Sequence, residues 1–418
     1  MDGIYTKRDT CRLCGASGLD PVVELAPIPV ATPNVDLAAT EKVFHGVASA
    51  RVPLVLYLCP SCGHLQLIHV VNPAVQYRNF RYVTAISRGL PAHFRTMAKE
   101  ICSQGDVAPG SFVIEIGSND GTLLGAFKER GMRVLGVDPA ERTAWVATEA
   151  GIETLPEFFD GTLGRRIAEE RGKADVVIAN NTFANLDDLD DIVAGVKALM
   201  TPGGVFVFET QYGRDVIDNL LVDTIYHEHL SYFMISPLRD FFARTGLELV
   251  DVRRIWTKGG SIRGIVQHAG GSRRVTEAVA AMRAAERDEG YLSPARYVDF
   301  CTAVASVRAR VGEAVERALA GGGTLAGYGA SVGSMTLIEL FGLGPSLAFI
   351  ADDKPLGEAI ETGDYLIPIR TSDVLYEARP DLVLLFAWRY AKPIVARHER
   401  YLKNIGHFLV PLPEVRLI

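Results

Sequence analysis

The sequence predicts an α/β fold that consists of a small, metal-stapled N-terminal module and two Rossmann-like domains. Three observations support this prediction. Two Cys-x2-Cys pairs lie early in the chain, a series of short apolar strands alternating with helical stretches begins near residue 110, and a second such series follows residues 321–323. Strands that alternate with helices at this spacing indicate parallel sheets covered by helices.

The composition is that of a folded protein with more than one core. The chain has 418 residues, of which 48% are hydrophobic and 22% are charged, so neither long disorder nor a single ordinary domain is expected. The formal net charge is −7 and the basic residues are scattered. This argues against a nucleic-acid partner, because phosphate neutralisation needs clustered cations.

Nothing in the sequence directs the chain to a membrane. No apolar run reaches the roughly 18–20 residues that a membrane span needs. The first ten residues carry charges instead of the apolar run of a signal peptide. We therefore expect a cytoplasmic protein whose cysteines are thiols or metal ligands.

The N-terminal cysteines predict a structural zinc site. Cys11 and Cys14 form one pair, Cys59 and Cys62 form the other, and each pair is followed by Gly. Two such turns complete the tetrahedron that Zn²⁺ prefers, whereas the alternative is chance pairs of free thiols. The Pro-rich sequence between the pairs buries little by itself, so a metal would stabilise it. His64 is expected in a solvated loop, with a role beside the metal as the alternative.

The two β/α series place the remaining elements. Strands are predicted at residues 112–116, 133–137, 175–179 and 205–209, with helices at 122–130 and 188–200. A helical stretch at 276–319, interrupted near 290–294, precedes strands at 324–328, 347–351, 382–386 and 407–410. Ligands of such sheets bind at the carboxyl ends of the strands.

The turn after the first of these strands predicts a cofactor site. Glycines there let the backbone approach a ligand, and the helix N-terminus offers free N–H groups. One Gly between an acidic residue and Asn-Asp-Gly differs from the G-x-G-x-x-G of nicotinamide sites and is typical of S-adenosylmethionine methyltransferases; the alternative is a plain structural turn. The residues predicted to bind this cofactor are Glu115, Gly117, Asn119, Asp138 for the ribose hydroxyls, and Asn180.

A second polar cluster, Tyr226-His-Glu-His229, follows the strand at 205–209. It should therefore lie near the same sheet edge as the cofactor. Histidine titrates near neutrality and is suited to carrying a proton. Acid–base catalysis is the favoured interpretation, with a structural hydrogen-bond network or a metal site as alternatives.

Taken together, these motifs resemble the sugar 3-C-methyltransferases that act on nucleotide-linked 4-keto sugars. The resemblance covers essentially the whole chain. Its elements are the paired Cys-x2-Cys turns, residues 115–121, the Tyr-His-Glu-His-Leu-Ser-Tyr-Phe segment at 226–233, and the motifs at 259–263, 327–330, 352–353, 367–370, 387–388 and 411–414.

The resemblance implies a zinc-binding domain at residues 1–72, an S-adenosylmethionine methyltransferase domain at 73–270, and a Rossmann-like sugar-nucleotide domain at 271–418. The chemistry it implies is deprotonation next to a ketone, followed by methylation of the enolate carbon. Tyr226, Glu228 and His229 would be catalytic, with either Tyr226 or His229 as the base. The family also allows a monomer.

Further site residues come from the same resemblance. Tyr82 and Ser87 match a segment that closes over the cofactor. The residues expected at the sugar nucleotide are Asn185, Lys258, Ser261, Arg263, Tyr328, Ser331 and Arg370. For the arginines, the alternative is a side chain that only joins two domains.

The chain departs from the family at three places. Members tend to have His where this sequence has Asn185, often His where it has Lys258, and Pro-Ala-Lys where it has residues 331–333. The nucleotide base and the sugar are therefore not predicted. The alternatives to C-methylation are O-methylation of a carbohydrate hydroxyl, and a zinc-containing protein that binds ligands without turning them over.

Overall fold

The computed structural model describes residues 3–30, 32–87, 89–103 and 107–418. Among these residues no helix is both long and apolar enough to cross a membrane. The predicted α/β fold with zinc-binding module and Rossmann-like sheets is confirmed.

The N-terminal module is built on antiparallel strands. Its elements are β1 (Tyr5–Lys7), β2 (Asp20–Pro29), α1 (Leu37–Glu41), β3 (Arg51–Leu58), β4 (Leu65–Leu67), β5 (His69–Val71) and α2 (Pro73–Tyr77). Along β3 every second side chain is buried (Val52, Leu54, Leu56 and Leu58), which is the period-two pattern of a strand with one apolar face. A 3-10 turn, Thr84–Ile86, and the helix α3 (Leu90–Ser103) lead into the next domain.

The middle domain has a seven-stranded sheet. Its elements are β6 (Phe112–Ile116), α4 (Thr122–Lys128), β7 (Arg133–Val137), α5 (Glu141–Glu149), β8 (Thr154–Leu155), α6 (Gly161–Arg171), β9 (Ala174–Asn180), α7 (Leu189–Leu199), β10 (Met200–Gln211), α8 (Gly213–Asp218), β11 (Ser231–Tyr232), α9 (Ile235–Arg244), β12 (Leu247–Ile255) and β13 (Ser261–His268). The strand order is β12-β13-β10-β9-β6-β7-β8.

The four predicted strands of this sheet are present and parallel, with small shifts at their ends. Sequence reasoning did not predict the antiparallel pair β12 and β13, which extends the sheet beyond β10. Short 3-10 turns at Phe183–Asn185, Val222–Thr224 and Thr257–Gly259 connect these elements.

The C-terminal domain repeats the α/β pattern. Its elements are α10 (Glu277–Asp288), α11 (Ala295–Leu319), β14 (Leu325–Tyr328), α12 (Val332–Phe341), β15 (Leu347–Asp352), β16 (Ala359–Glu361), β17 (Leu366–Thr371), α13 (Val374–Ala378), β18 (Leu382–Leu385), α14 (Ala391–Arg397), α15 (Glu399–Asn404), β19 (His407–Val410) and β20 (Arg416–Leu417). The sheet order is β16-β17-β15-β14-β18-β19-β20, with antiparallel strands only at its two edges.

The first turn of α12 is fixed by its own sequence. Ser331 accepts a hydrogen bond from the backbone N–H of Ser334, and the Ser334 hydroxyl accepts one from the backbone N–H of Ser331 at 3.0 Å. This reciprocal capping satisfies N–H groups that would otherwise be unpaired. The capping fixes where α12 begins after β14. The first turn of α12 contacts the middle domain at Asp223.

The segment that we call the central segment, residues 222–233, contacts all three parts of the molecule. Its strand β11 pairs with β4 of the N-terminal module. From the C-terminal domain, the Thr336 hydroxyl donates to the carbonyl of Ile225 at 2.9 Å. Gly333 packs so closely on the carbonyl of Asp223 that a Cβ there would collide with it. Glycine at position 333 thus permits this close approach.

We expect Gly333→Ala to lower both the melting temperature and the activity, because the added methyl group must push α12 away from Asp223. Overpacking of this kind typically costs about 1–3 kcal/mol. Gly312→Ala in α11 is the matched control, since a Cβ at residue 312 meets nothing within 4 Å. Thermal unfolding of both variants measures the effect, and equal melting temperatures would contradict the close contact.

Candidate active site and zinc centre

The four predicted zinc ligands come together in space. The sulfur atoms of Cys11, Cys14, Cys59 and Cys62 all lie within 4.8 Å of one another, and they form the only such cluster of potential metal ligands in the described parts of the chain. The Cys11–Cys62 and Cys14–Cys59 sulfur distances are both 3.6 Å. Thiolates about 2.3 Å from a tetrahedral zinc lie at nearly this separation. The residues present therefore fit a structural zinc ion.

The zinc module also holds the central segment. The backbone N–H of Leu67 donates to the carbonyl of Leu230 at 2.9 Å, and the buried Arg12 guanidinium reaches the same carbonyl at 3.3 Å. His64 is fully buried and lies 3.2 Å from the Ser231 hydroxyl. The expectation that His64 lies in a solvated loop is wrong, because the loop after Cys62 is covered by the central segment.

One large cavity of about 870 Å³ lies at the carboxyl edge of the middle sheet. Its walls come from the ends of β6, β7, β9 and β10, from the segment before α3, from the central segment, and from the N-terminus of α12. The volume is near the upper end of the range of about 300–1,000 Å³ for small-molecule sites.

All seven residues predicted to bind the cofactor line this cavity: Tyr82, Ser87, Glu115, Gly117, Asn119, Asp138 and Asn180. Burial raises the pKa of Glu115 well above its ordinary value, and the carboxylates of Asp120 and Asp138 raise it further. One Glu115 oxygen and the Asn180 amide nitrogen are buried without a partner among the described residues. Buried polar atoms are normally hydrogen-bonded, so these atoms indicate a polar ligand.

The glycine turn is shaped by contacts that exclude a side chain. Gly117 has a φ of 72°, and a Cβ there would collide with the Thr182 side chain. Asp138 accepts hydrogen bonds from the backbone N–H groups of Asn119 at 2.8 Å and Ala140 at 2.9 Å. A carboxylate has about four acceptor positions, so Asp138 can brace the turn and still receive ligand hydroxyls.

The segment of residues 82–87 is fastened over the glycine turn. The Asn119 amide donates to the carbonyl of Tyr82 at 3.0 Å and accepts from the backbone N–H of Thr84 at 2.9 Å. Asp120 accepts from the backbone N–H of Ala85 at 2.8 Å. The hydroxyls of Tyr82 and Ser87 lie 2.7 Å apart. The segment expected to cover the cofactor is thus bonded to the glycine turn.

Tyr226 and His229 form a hydrogen-bonded pair on the cavity wall. The Nδ1 atom of His229 lies 2.9 Å from the carbonyl of Thr224, which can only accept, so Nδ1 carries the proton. The Nε2 atom is then the acceptor for the Tyr226 hydroxyl at 3.1 Å. Burial, together with the positive charge of Lys258, lowers the pKa of His229 to about 3. The imidazole is therefore neutral at pH 7, with its lone pair directed at Tyr226.

Glu228 faces the same cavity, whereas His227 points away from it. His227 Nε2 donates to the carbonyl of Pro53 at 3.1 Å and ties the central segment to β3. Burial raises the pKa of Glu228 to about 7, with Lys258 acting in the opposite direction. The carboxylate of Glu228 makes no hydrogen bond within the described residues. It is thus a chemically available acid or base near neutral pH.

The seven residues expected at the sugar nucleotide divide into two groups. Asn185, Lys258 and Ser331 line the cavity, and Ser261, Arg263, Tyr328 and Arg370 do not. Arg263 is buried and binds the Glu209 carboxylate at 2.9 Å and the Glu100 carboxylate at 2.7 Å. Its fixed charge is therefore used inside the middle domain.

Of the other three residues outside the cavity, Ser261 and Tyr328 make hydrogen bonds within the protein, and Arg370 is exposed. The Ser261 hydroxyl donates to the carbonyl of Thr257 at 3.0 Å. The Tyr328 hydroxyl donates to Asp353 at 2.6 Å and is buried in the C-terminal core. Arg370 is exposed at the end of β17, outside the cavity.

Several cavity residues were not predicted from the sequence. Ser118 and Gln211 each place an unpartnered buried oxygen at the cavity. Tyr77 reaches it from α2, with its hydroxyl 3.5 Å from the carbonyl of Glu228. Arg389, from the C-terminal domain, pairs with Asp223 at 2.9 Å. Arg389 directly follows the Ala387-Trp388 motif, which is the one sequence signal that could have located it.

Comparison with known proteins matches three family models along the chain. Residues 11–77 match a putative zinc-binding domain, residues 92–252 match a methyltransferase domain, and residues 256–413 match a C-methyltransferase C-terminal domain. The order of the three matches is the order of the three parts described above.

Individual relatives agree with these matches. The chain is 35% identical over 422 residues to the C-methyltransferase NovU of Streptomyces niveus, covering 100% of this chain and 99% of the relative. It is 30% identical over 158 residues to a ubiquinone biosynthesis O-methyltransferase of Leptothrix cholodnii, covering 34% of this chain and 67% of the relative. The magnesium protoporphyrin IX methyltransferase of Synechocystis, solved with bound SAH, superposes with a TM-score of 0.35 at 13% identity, covering 43% of this chain and 84% of that chain.

We expect Cys59→Ser to abolish zinc binding and to lower the melting temperature, because structural zinc contributes about 10–16 kcal/mol to the folding of isolated zinc-finger peptides. Activity should fall as well, since the zinc module holds Leu230 and Ser231. Metal analysis, thermal unfolding and turnover measure the three effects. Cys102→Ser, a half-buried thiol outside the cluster, is the control. A Cys59→Ser protein that keeps one equivalent of zinc would contradict the site.

The raised pKa of Glu228 predicts that the stability of the protein depends on pH. Its pKa is raised from 4.5 to about 7, so between these values the folded state holds more protons than the unfolded state. The wild type therefore loses stability as the pH rises through this window. Glu228→Gln removes the loss and should raise the melting temperature more at pH 8 than at pH 5. The exposed Glu361→Gln is the control, and a pH-independent difference would count against the raised pKa.

Proposed function

Because the chain belongs to the C-methyltransferase family and uses S-adenosylmethionine as its methyl donor, we propose that it methylates a carbon next to the ketone of a nucleotide-linked keto sugar. One observation carries the proposal. A single cavity joins the glycine turn of the middle domain, the Tyr226–His229 pair and the N-terminus of α12. Cofactor, proton acceptor and sugar nucleotide would thus meet in one space.

The cofactor is proposed to occupy the part of the cavity at the ends of β6 and β7. Glu115 and Asp138 are suited to its amino and hydroxyl groups, and Asn180 offers an unpartnered amide donor. The backbone at Gly117 and Asn119 would lie against it, with Tyr82 and Ser87 covering it. When bound, S-adenosylmethionine supplies an electrophilic methyl group, so that the new carbon–carbon bond forms as the carbon–sulfur bond breaks and S-adenosylhomocysteine is released.

The Tyr226–His229 pair is proposed to remove the proton next to the ketone. Tyr226 is the more accessible of the two side chains within the cavity. Its hydroxyl can take the substrate proton while its own proton moves to His229 Nε2, 3.1 Å away. The electron pair of the broken carbon–hydrogen bond moves toward the ketone oxygen, which becomes an enolate oxygen. The negative charge formed on the substrate favours the protonated imidazole.

Glu228 is proposed to reset this pair after each turnover. With a pKa of about 7 it exchanges protons with solvent near neutral pH. Its position in the same short turn, next to His229 in the chain and two residues from Tyr226, supports this role. This assigns roles to all three residues expected to be catalytic.

The sugar nucleotide is proposed to lie between the central segment and the C-terminal domain. The N-terminus of α12, with the Ser331 hydroxyl, is suited to phosphate oxygens. Arg389 adds a cation at the same wall, and Asn185 offers a buried amide oxygen without a partner among the described residues. These groups favour an anionic, hydroxyl-rich substrate.

The proposal is tested with methyl-labelled S-adenosylmethionine and a panel of thymidine-, guanosine- and cytidine-diphosphate 4-keto-6-deoxysugars. We expect one of them to gain a methyl group, detected by mass, with the carbon-13 shift of a methyl bound to carbon. A methyl shift typical of a methoxy group would establish O-methylation instead. Absence of transfer to every sugar, with the cofactor bound, would contradict the proposed substrate class.

The roles of the pair are tested with Tyr226→Phe and His229→Asn. We expect each substitution to lower kcat by about 10²–10⁴, the usual range for positioned acid–base groups. Affinity for S-adenosylmethionine should stay within a few-fold of the wild type, as measured by calorimetry. The exposed His45→Asn is the control. Wild-type turnover in both variants would remove the pair from the mechanism.

A further inference from the structure

Lys258 has a backbone conformation that residues other than glycine rarely adopt. It lies in the short turn Thr257–Gly259 between β12 and β13, with φ 54° and ψ 23°. Left-handed backbone at a residue other than glycine is strained, and such strain persists only where the surrounding structure imposes it. Its side chain lines the cavity and makes no hydrogen bond or ion pair within the described residues.

The turn is fixed by a buried network that leads back to Arg263. The Thr257 hydroxyl donates to one Glu209 oxygen at 3.2 Å. The other Glu209 oxygen accepts from Arg263 at 2.9 and 3.1 Å. The Ser261 hydroxyl closes the turn from the other side by donating to the carbonyl of Thr257 at 3.0 Å. Ser261 and Arg263 thus hold the turn that presents Lys258, instead of binding substrate themselves.

Glycines allow this turn to pack against the body of the domain. A Cβ at Gly260 would collide with the Asp215 side chain, and a Cβ at Gly259 would lie 3.0 Å from Leu221. The Asn219 amide donates to the carbonyl of Gly259 at 3.2 Å. The backbone beside Lys258 is therefore anchored from three directions while its ammonium group remains available.

The charges around the cavity distinguish Lys258 from the other cations. Arg389 is neutralised by Asp223 at 2.9 Å, and Lys354 belongs to the C-terminal domain, two residues beyond the end of β15. The charge of Lys258 acts on both Glu228 and His229. Among the cavity cations of the described chain, it is the unpaired charge beside the proposed proton acceptors.

We propose that the Lys258 ammonium stabilises the enolate oxygen that forms when the carbon next to the ketone loses its proton. This inference rests on the proposed function and names the group that stabilises the enolate oxygen, which the proposed function leaves unassigned. The proton goes to the Tyr226–His229 pair and the electron pair to the ketone oxygen. Lys258 donates a charge-assisted hydrogen bond to that oxygen without losing its own proton. The carbonyl re-forms when the carbon is methylated.

The test separates enolate formation from methyl transfer. Wild-type protein is incubated in deuterated water with S-adenosylhomocysteine, which carries no methyl group to donate, and the keto sugar accepted in the labelling experiment. Deuterium uptake at the carbon next to the ketone measures proton removal alone. We expect Lys258→Met to slow both this exchange and kcat by about 10²–10³, as the loss of one oxyanion donor does in other enzymes.

Control variants keep the outcome interpretable. Lys258→Arg retains the positive charge, so its exchange and turnover should be slowed less than those of Lys258→Met. That result would show that a folded variant with a substitution at this position can be active. The exposed Lys392→Met is expected to behave as wild type. Melting temperatures and S-adenosylhomocysteine binding of every variant establish that the cavity is intact.

Two results would overturn the inference while the proposed function stands. One is exchange and turnover of Lys258→Met within threefold of the wild type. The other is a raised KM with unchanged exchange at saturation, which would make Lys258 a binding residue only. If the wild type neither exchanges deuterium nor methylates any keto sugar, the proposed function itself fails, and the enolate role of Lys258 fails with it.

Discussion

The structure depends on how the central segment is held. This segment has little regular structure of its own, and its backbone groups are satisfied by partners from elsewhere. The N-terminal module supplies a strand partner in β4, and the C-terminal domain supplies the Thr336 hydroxyl. A buried loop without such partners would leave polar backbone groups unpaired, at a cost of about 1–3 kcal/mol each. The segment that carries Tyr226 and His229 is therefore held in place by three parts of the chain that meet on it.

This arrangement explains why a zinc ion far from the chemistry matters to it. The module that contains the four cysteines has a small core, and the metal supplies the stability that burial alone cannot. Arg12 lies between Cys11 and Leu13 in the chain and contacts the carbonyl of Leu230. The metal cluster and the central segment are thus joined through one buried guanidinium. A zinc ion held by the four cysteines would therefore support the central segment through this contact.

The same burial sets the electrostatics of the cavity. Carboxylates with raised pKa values, a neutral imidazole and an unpaired ammonium group lie around one enclosed space. Removal from solvent disfavours the charged form of each group, so it raises the pKa values of Glu115 and Glu228 and lowers those of His229 and Lys258. Perturbed groups gathered in a cleft are typical of sites that move protons. The ion pairs Arg263–Glu209 and Arg389–Asp223 neutralise two further buried carboxylates of this region.

Local sequence alone determined a large share of this protein. The two Cys-x2-Cys turns predicted the metal cluster, and the strand–Gly–helix pattern predicted the turn at Gly117, because each of these turns is formed by residues close together in the chain. All predicted cofactor residues and Tyr226, Glu228 and His229 reached the cavity.

Tertiary structure alone decided which way the side chains near Lys258 point. On β13, Ser261 and Arg263 face the buried network of Glu209, and only the strained turn before them opens toward the cavity. It also decided that Gly333 must be small, since the carbonyl it contacts belongs to Asp223, more than one hundred residues earlier in the chain. Contacts of that kind are set by how the domains pack, and no local pattern records them.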